Sequence, residues 1–176
     1  MFTDVMLDLE TIGTNYNAAI IQIGACYFDR YTGRIGEEFI LNVDANSSLI
    51  KGFEANWDTI KWWFVQSDQA RRVFALIEGI DVEQAIHKVN VFLSEAKIIW
   101  SHATFDFVIL MNHFHKLNIR PKFGYKTARD LRTLVDLADV KCKSYPREGV
   151  HHNALDDCRY QIKYAVDCFK KIEEKK

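Results

Sequence analysis

Apolar and polar positions alternate from Phe2 to Leu9, setting Val5, Leu7 and Leu9 on one face of an extended segment and Met6 and Asp8 on the other. Ala19 to Phe28 is a nearly unbroken apolar run, as expected of a strand covered on both sides. Arg34 to Val43 follows the loop Asp29-Arg30-Tyr31-Thr32-Gly33, so the first three strands read as an antiparallel meander. Helical spacing then takes over. Trp57, Ile60, Trp63 and Phe64 share one face, as do Ala70, Val73, Phe74 and Ile77. Asp81 with Gln84 forms a capping-box-like start for a helix carrying Val82, Ala85, Ile86, Val89 and Leu93. Lys97 to Trp100 is a fourth strand, and Phe107, Leu110, Met111, Phe114 and Leu117 line the next helix. The last helix, from about Ala154 to Ile172, buries Leu155, Cys158, Ile162, Ala165, Val166 and Phe169. The order predicts an α/β protein with a mixed β-sheet flanked by helices.

Composition narrows the class. With 176 residues, 48% of them hydrophobic, one domain over residues 1–176 can bury a sizeable core. Aromatic content of 13% and mean hydropathy of -0.17 argue against disorder. No apolar run approaches the ~20 residues of a membrane span. Met1 leads to Asp4 without a basic-then-apolar leader, so a cytoplasmic protein with no membrane partner is expected. Cysteines 26, 142, 158 and 168 form no C-x-x-C pair and read as reduced thiols. The net charge of -1 hides an asymmetry: residues 1–115 carry 8 basic and 15 acidic groups, residues 116–147 carry 9 and 3. That basic segment suits a polyanion or an ordinary solvated surface equally well.

Three segments carry candidate chemistry. Asp8 and Glu10, one strand-step apart, project to the same side, where two carboxylates either meet water or share a divalent cation. Asp106 follows a short strand and a turn at a helix start, where it either complements the helix dipole or aims a third carboxylate at the same cleft. In His151-His152-Asn153-Ala154-Leu155-Asp156-Asp157 a loop histidine precedes helix acids, an exposed pair or an imidazole and carboxylate at one site. Other features carry less. His113 and His115 diverge on a helix and make a poor zinc pair; Ser101 beside His102 is no triad; no phosphate-cradling glycine loop occurs. Trp62 and Trp63 point roughly 100° apart on a helix, one toward the core and the other toward a rim, stacking surface or partner.

In order, these segments resemble the motifs of DEDDh 3′-5′ exonucleases of the RNase H-like superfamily. Asp8-Leu9-Glu10-Thr11 with Ile21-Gln22-Ile23-Gly24-Ala25 is similar to the first motif, His102-Ala103-Thr104-Phe105-Asp106 to the second, and His152-Asn153-Ala154-Leu155-Asp156-Asp157 to the H-x-A-x-x-D third. Thr59-Ile60-Lys61-Trp62-Trp63 with Gln66, and Arg129-Asp130-Leu131-Arg132-Thr133-Leu134, resemble the small exoribonuclease family typified by a mycobacterial enzyme and phage exonuclease A.

The resemblance implies an RNase H-like sheet, a three-strand meander plus further parallel strands, and two-metal phosphodiester hydrolysis. By correspondence Asp8 bridges two Mg²⁺ ions, with Mn²⁺ as a substitute; Glu10 and Asp157 complete one ion's site and Asp106 the other's. His152 rather than His151, and Asp157 rather than Asp156, match the motif spacing, and His152 accepts the attacking water's proton. Thr11, Phe105, Arg129 and Arg132 are the implied substrate contacts. Single-stranded RNA or DNA 3′ ends are the implied partners, RNA somewhat preferred, and a homodimer is left open. The rival reading is a non-catalytic nucleic-acid-binding or scaffold module, against which stands the complete set of four carboxylates and a histidine.

Overall fold

Every residue of Asp4–Thr11 (β1) and of Ile20–Phe28 (β2) is buried, because both faces of these two strands are covered. The computed structural model describes residues 2–75 and 78–174, apart from the side chains of Phe74 and Ala75. The expected packing of Phe74 and Ile77 therefore lies outside what is described. β1 and β2 pair antiparallel from Asp4 opposite Phe28 to Thr11 opposite Ile20, with an irregularity between Glu10 and Thr11. Ile35–Asn42 (β3) adds antiparallel to β2 as a partly exposed edge strand. The hairpin between them turns on Gly33 at φ 75°, and the Asp29 carboxylate accepts the Tyr31 and Thr32 amides.

Ile98–Ser101 (β4) lies parallel to β1, and Ala128–Asp130 (β5) parallel to β4, giving the order β3-β2-β1-β4-β5. The mixed sheet is the one the sequence pattern predicts. Around it run Ala45–Ile50 (α1), Trp57–Phe64 (α2), Asp68–Ala75 (α3), Val82–Phe92 (α4), Asp106–Lys116 (α5), Leu131–Ala138 (α6) and Ala154–Glu174 (α7). The predicted start of α4 is present: the Asp81 carboxylate accepts the Glu83 and Gln84 amides.

The alternation in β1 divides the core in two. Val5, Leu7 and Leu9 pack with Trp63, Ile86, Ile109, Leu110 and Phe114 on one face. Met6 packs with Trp100, Leu131, Leu155, Cys158 and Ile162 on the other, beneath α6 and α7. Each fully buried Val, Leu, Ile or Phe contributes about 1.5–3 kcal/mol through removal from water. Along the Met6 face of β1 the next two positions are Asp8 and Glu10, so the apolar floor gives way to carboxylates at the strand's carboxyl end.

The N-terminus of α7 is fixed there by β2. The Gln22 side chain accepts the Ala154 amide at 2.8 Å while donating to Asn42 at 2.7 Å. Opposite Asp8 in the register stands Gly24, where a β-carbon would collide with the backbone of Ala154 and Leu155. The four cysteines are free, and among the described residues no helix is long and apolar enough to cross a membrane.

Candidate active site

Three elements bring the four carboxylates together. Asp8 and Glu10 come from β1, Asp106 from the first residue of α5, and Asp157 from the first turn of α7; all four are buried. One carboxylate oxygen from each of Asp8, Glu10 and Asp157 lies within 4.8 Å of the others, and the same holds for ligand atoms of Asp8, His102 and Asp106. Asp106 is held from both sides: it accepts the Leu9 amide at 3.1 Å and the His102 amide at 2.9 Å, stitching β1 to the turn after β4. Asp8 accepts the Gln161 side-chain amide at 2.6 Å, and Asp157 is paired with Arg147.

Burial dominates the electrostatics. It pushes the Asp8 carboxyl well above the usual range, reinforced by the charges of Asp106, Glu10 and Asp157. Glu10 is raised for the same reason, with Asp157 and Asp106 adding and Arg147 opposing. Asp106 is pushed up to about 7 by burial, against the amides it accepts. Asp157 is raised by burial, less the effect of Arg147. A buried group of four acids is costly without compensating cations. The Gln161 carbonyl oxygen, on the side chain that donates to Asp8, is buried without a hydrogen-bond partner. Asp8, Glu10 and Asp157 make an all-oxygen, anion-dense donor set with an unused amide oxygen beside it, which fits a hard divalent cation.

His152 adopts φ 64° in the turn before α7. Adjacent loop side chains are expected to point apart, yet the His151 and His152 rings stack with centroids 3.7 Å apart, because the left-handed residue turns both to one side. Ligand atoms of both imidazoles and Asp157 lie within 4.8 Å of one another. Burial, then His151, then Arg147 lower the His152 pKa to about 4, leaving a neutral ring at pH 7.

Two neighbouring clefts share Leu9, Glu10 and Phe105. One, of about 680 Å³, holds the four carboxylates, the two histidines, Arg132, Lys143 and Arg147. The other, of about 570 Å³, runs past Thr11 to Trp62 and Trp63. Trp63 is the core tryptophan, its indole N–H donating to the Thr11 carbonyl at 2.9 Å; Trp62 is 41% exposed on the rim. Thr11 spends its hydroxyl on the Gly13 carbonyl at 2.6 Å.

Phe105 and Arg132 line the clefts, whereas Arg129 lines neither. Its guanidinium donates to the Lys126 and Ala128 carbonyls at 2.8 and 2.7 Å, folded back on its own loop. The structure adds Gln161, His102, Lys143 and Arg147 to the site. Gln161 had a signal, standing four residues after Asp157 on one helix face; Arg147, in an irregular loop, had none.

No curated protein matches the chain. Solved structures with the same fold include E. coli exonuclease I in complex with a dT13 oligonucleotide, at TM-score 0.68 and 14% identity over 99% of this chain and 42% of that one. The zinc-bound form of the E. coli exonuclease I–ssDNA complex gives 0.65 and 14% over 94% and 40%. A 3′-exonuclease that recognises the histone mRNA stem-loop gives 0.61 and 14% over 97% and 83%. This chain spans about two fifths of the exonuclease I length, and the likeness establishes an RNase H-like exonuclease fold. A model of the Rv2179c-like 3′-5′ exoribonuclease domain matches residues 3–169, nearly the whole chain, and the protein belongs to that family.

Proposed function

We propose that this chain is a single-domain, divalent-cation-dependent 3′→5′ exonuclease that releases nucleoside 5′-monophosphates from single-stranded ends, RNA in preference to DNA. The observation that carries the reading is the convergence of Asp8, Glu10, Asp106 and Asp157 beside His152, at the mouth of an aromatic cleft. Family membership supports the RNA preference and the polarity; exonuclease I bound to a DNA oligonucleotide supports an extended single strand in the same trough.

Asp8, Glu10 and Asp157 are suited to hold one Mg²⁺ and Asp8 with Asp106 a second, Mn²⁺ substituting at both. Such a pair, when bound, stabilises the charge that develops on the attacking and leaving oxygens. The protein's own groups do the rest. His152 accepts a proton from the attacking water as its oxygen bonds to phosphorus; the bond from phosphorus to the 3′ oxygen of the penultimate nucleotide breaks, and that oxygen takes up a proton from solvent water. Phe105 and Trp62 offer stacking surfaces for the terminal base. Arg132 and Lys143 face the phosphates.

The test uses 5′-labelled RNA and DNA oligomers with Mg²⁺ or EDTA. A ladder shortening from the 3′ end, abolished by EDTA and slowed by a 3′-terminal phosphate, is expected. Cleavage of a circular single strand would make the enzyme an endonuclease. Oligomer binding without hydrolysis in Mg²⁺, or in Mn²⁺ put in its place, would return the reading to a non-catalytic binding module.

A further inference from the structure

His152 occupies the third position of a four-residue turn, Val150 to Asn153, in which the Asn153 amide donates to the Val150 carbonyl at 3.2 Å. Its φ of 64° lies in the left-handed region, which histidine enters more readily than most residues with a β-carbon but still at a cost that neighbouring contacts offset. Besides the bond from the His152 amide to the Asp157 carboxylate, the ends of the turn are fixed through Asp156. A carboxylate oxygen of Asp156 accepts the Val150 amide at 2.8 Å, and the Asp156 amide donates to the Asn153 side-chain oxygen at 3.2 Å. Both ends of the turn are therefore tied to residue 156.

Asp156 is itself anchored. Its second oxygen accepts Arg159 at 2.8 Å, and the same guanidinium forks onto both oxygens of Glu38 on β3, at 2.7 and 2.8 Å. Gly149, at φ 76°, completes the arrangement: a β-carbon there would collide with the Asp156 carboxyl group. Only the bare glycine backbone lets the carboxylate reach the Val150 amide. Asp156 does not line the cleft.

We infer that Asp156 is the positioning residue of His152, the inner end of a Glu38–Arg159–Asp156 relay that fastens the histidine turn to the edge of the sheet. The activity part of this inference rests on His152 being the proton acceptor. The relay acts on the turn and not on α7 as a whole, because Ala154 is independently seated by Gln22 and packed on Gly24. Loss of the Asp156 carboxylate thus frees the Val150 end of the turn and shifts His152, while Asp157, which also accepts the His152 amide, stays in place. A displacement of about 1 Å at a catalytic group costs up to roughly 10²-fold in rate.

Three kinetic results are expected. Asp156→Ala lowers kcat by about 10–10²-fold at unchanged oligonucleotide KM. Asp156→Asn, which keeps an acceptor for the Val150 amide, restores most of the loss. In a His152→Ala background, Asp156→Ala costs nothing further. Amide resonances give a readout free of turnover: in cation-free protein those of Val150 and His152 shift in Asp156→Ala and return in Asp156→Asn. Mn²⁺ affinity by calorimetry stays within twofold throughout. Gly149→Ala, whose methyl group displaces the same carboxylate, shifts the same resonances and decides the matter if Asp156→Ala does not fold. Equal kinetic losses with and without His152, or unmoved resonances, overturn the inference. A wild type without nuclease activity defeats the proposed function instead, and the resonances still decide the relay.

Discussion

The Trp62 indole stands edge-on to the His152 imidazole, ring centroids 4.6 Å apart and planes at 79°, while Trp63 next to it is sealed in the core. Neighbours in sequence, the two tryptophans separate into rim and core. Trp62→Ala leaves the melting temperature within a few degrees and raises KM for oligonucleotides, since base stacking on one aromatic ring is worth about 1–3 kcal/mol. Trp63→Ala removes a buried ring and the bond to the Thr11 carbonyl, and destabilises by about 3–5 kcal/mol. Denaturant titration and initial-rate kinetics separate the two; equal stability losses would remove the distinction.

Burial of the four acids, reinforced by mutual repulsion at Asp8 and Glu10, makes cation-free stability depend on pH. Their folded-state pKa values are raised above the unfolded ones, Asp106 to about 7. The stability they contribute is then fully present below the unfolded carboxyl range near 4 and is lost as pH rises through the folded values. In EDTA the protein melts higher at pH 5.5 than at pH 8, other groups being equal, and Asp8→Asn melts higher than wild type at pH 8. Added Mn²⁺ raises the melting temperature of wild type far more than that of Asp8→Asn, which is inactive. Identical Mn²⁺ shifts in the two proteins would take Asp8 out of the cation site.

With its pKa lowered to about 4, the His152 ring has a free nitrogen at physiological pH and is a weaker base than an ordinary imidazole. His152→Ala lowers kcat by about 10²–10⁴-fold, the usual range for a general base, with Mn²⁺ affinity largely kept. His151 stacks on it and approaches Asp157, so His151→Ala has an intermediate effect through its neighbour's placement. Full activity of His152→Ala in steady-state assays would exclude histidine from the proton transfer.

Gly24 offers a test far from any ligand. A methyl group there meets the Ala154 backbone, so Gly24→Ala pushes the start of α7, and Asp157 with it, away from Asp8. Overpacking of this kind costs about 1–3 kcal/mol. Chemical denaturation reads that cost, and calorimetry reads the accompanying loss of cation affinity; wild-type values in both would mean that β2 yields to the methyl group.

Much of this was legible in the sequence because it follows from periodicity. The period of two puts Asp8 and Glu10 on the Met6 face, and the apolar face of the last helix carries Asp157 to them. Less legible were α1, β5 and α6. The β5 strand is three residues, too short for alternation to show, and α1 is polar and held by the Asp44 cap. Side-chain direction in irregular chain was not legible at all. Arg129 folds onto its own carbonyls, Arg147 reaches Asp157 from a loop, and the two histidines stack through a left-handed residue. Each depends on a backbone torsion or a distant partner that spacing does not encode.

The bond from Gln161 to Asp8 joins residues 153 positions apart, linking the first strand to the last helix. A growing chain that has not yet made α7 therefore has an incomplete centre, with Asp8, Glu10 and Asp106 in hand and neither Asp157 nor the Ala154 amide that Gln22 accepts. Contacts of such long range form late, since loop closure must precede their reward. Competence at this site is consequently a property of the finished fold, since its carboxylates are complete only once α7 has docked.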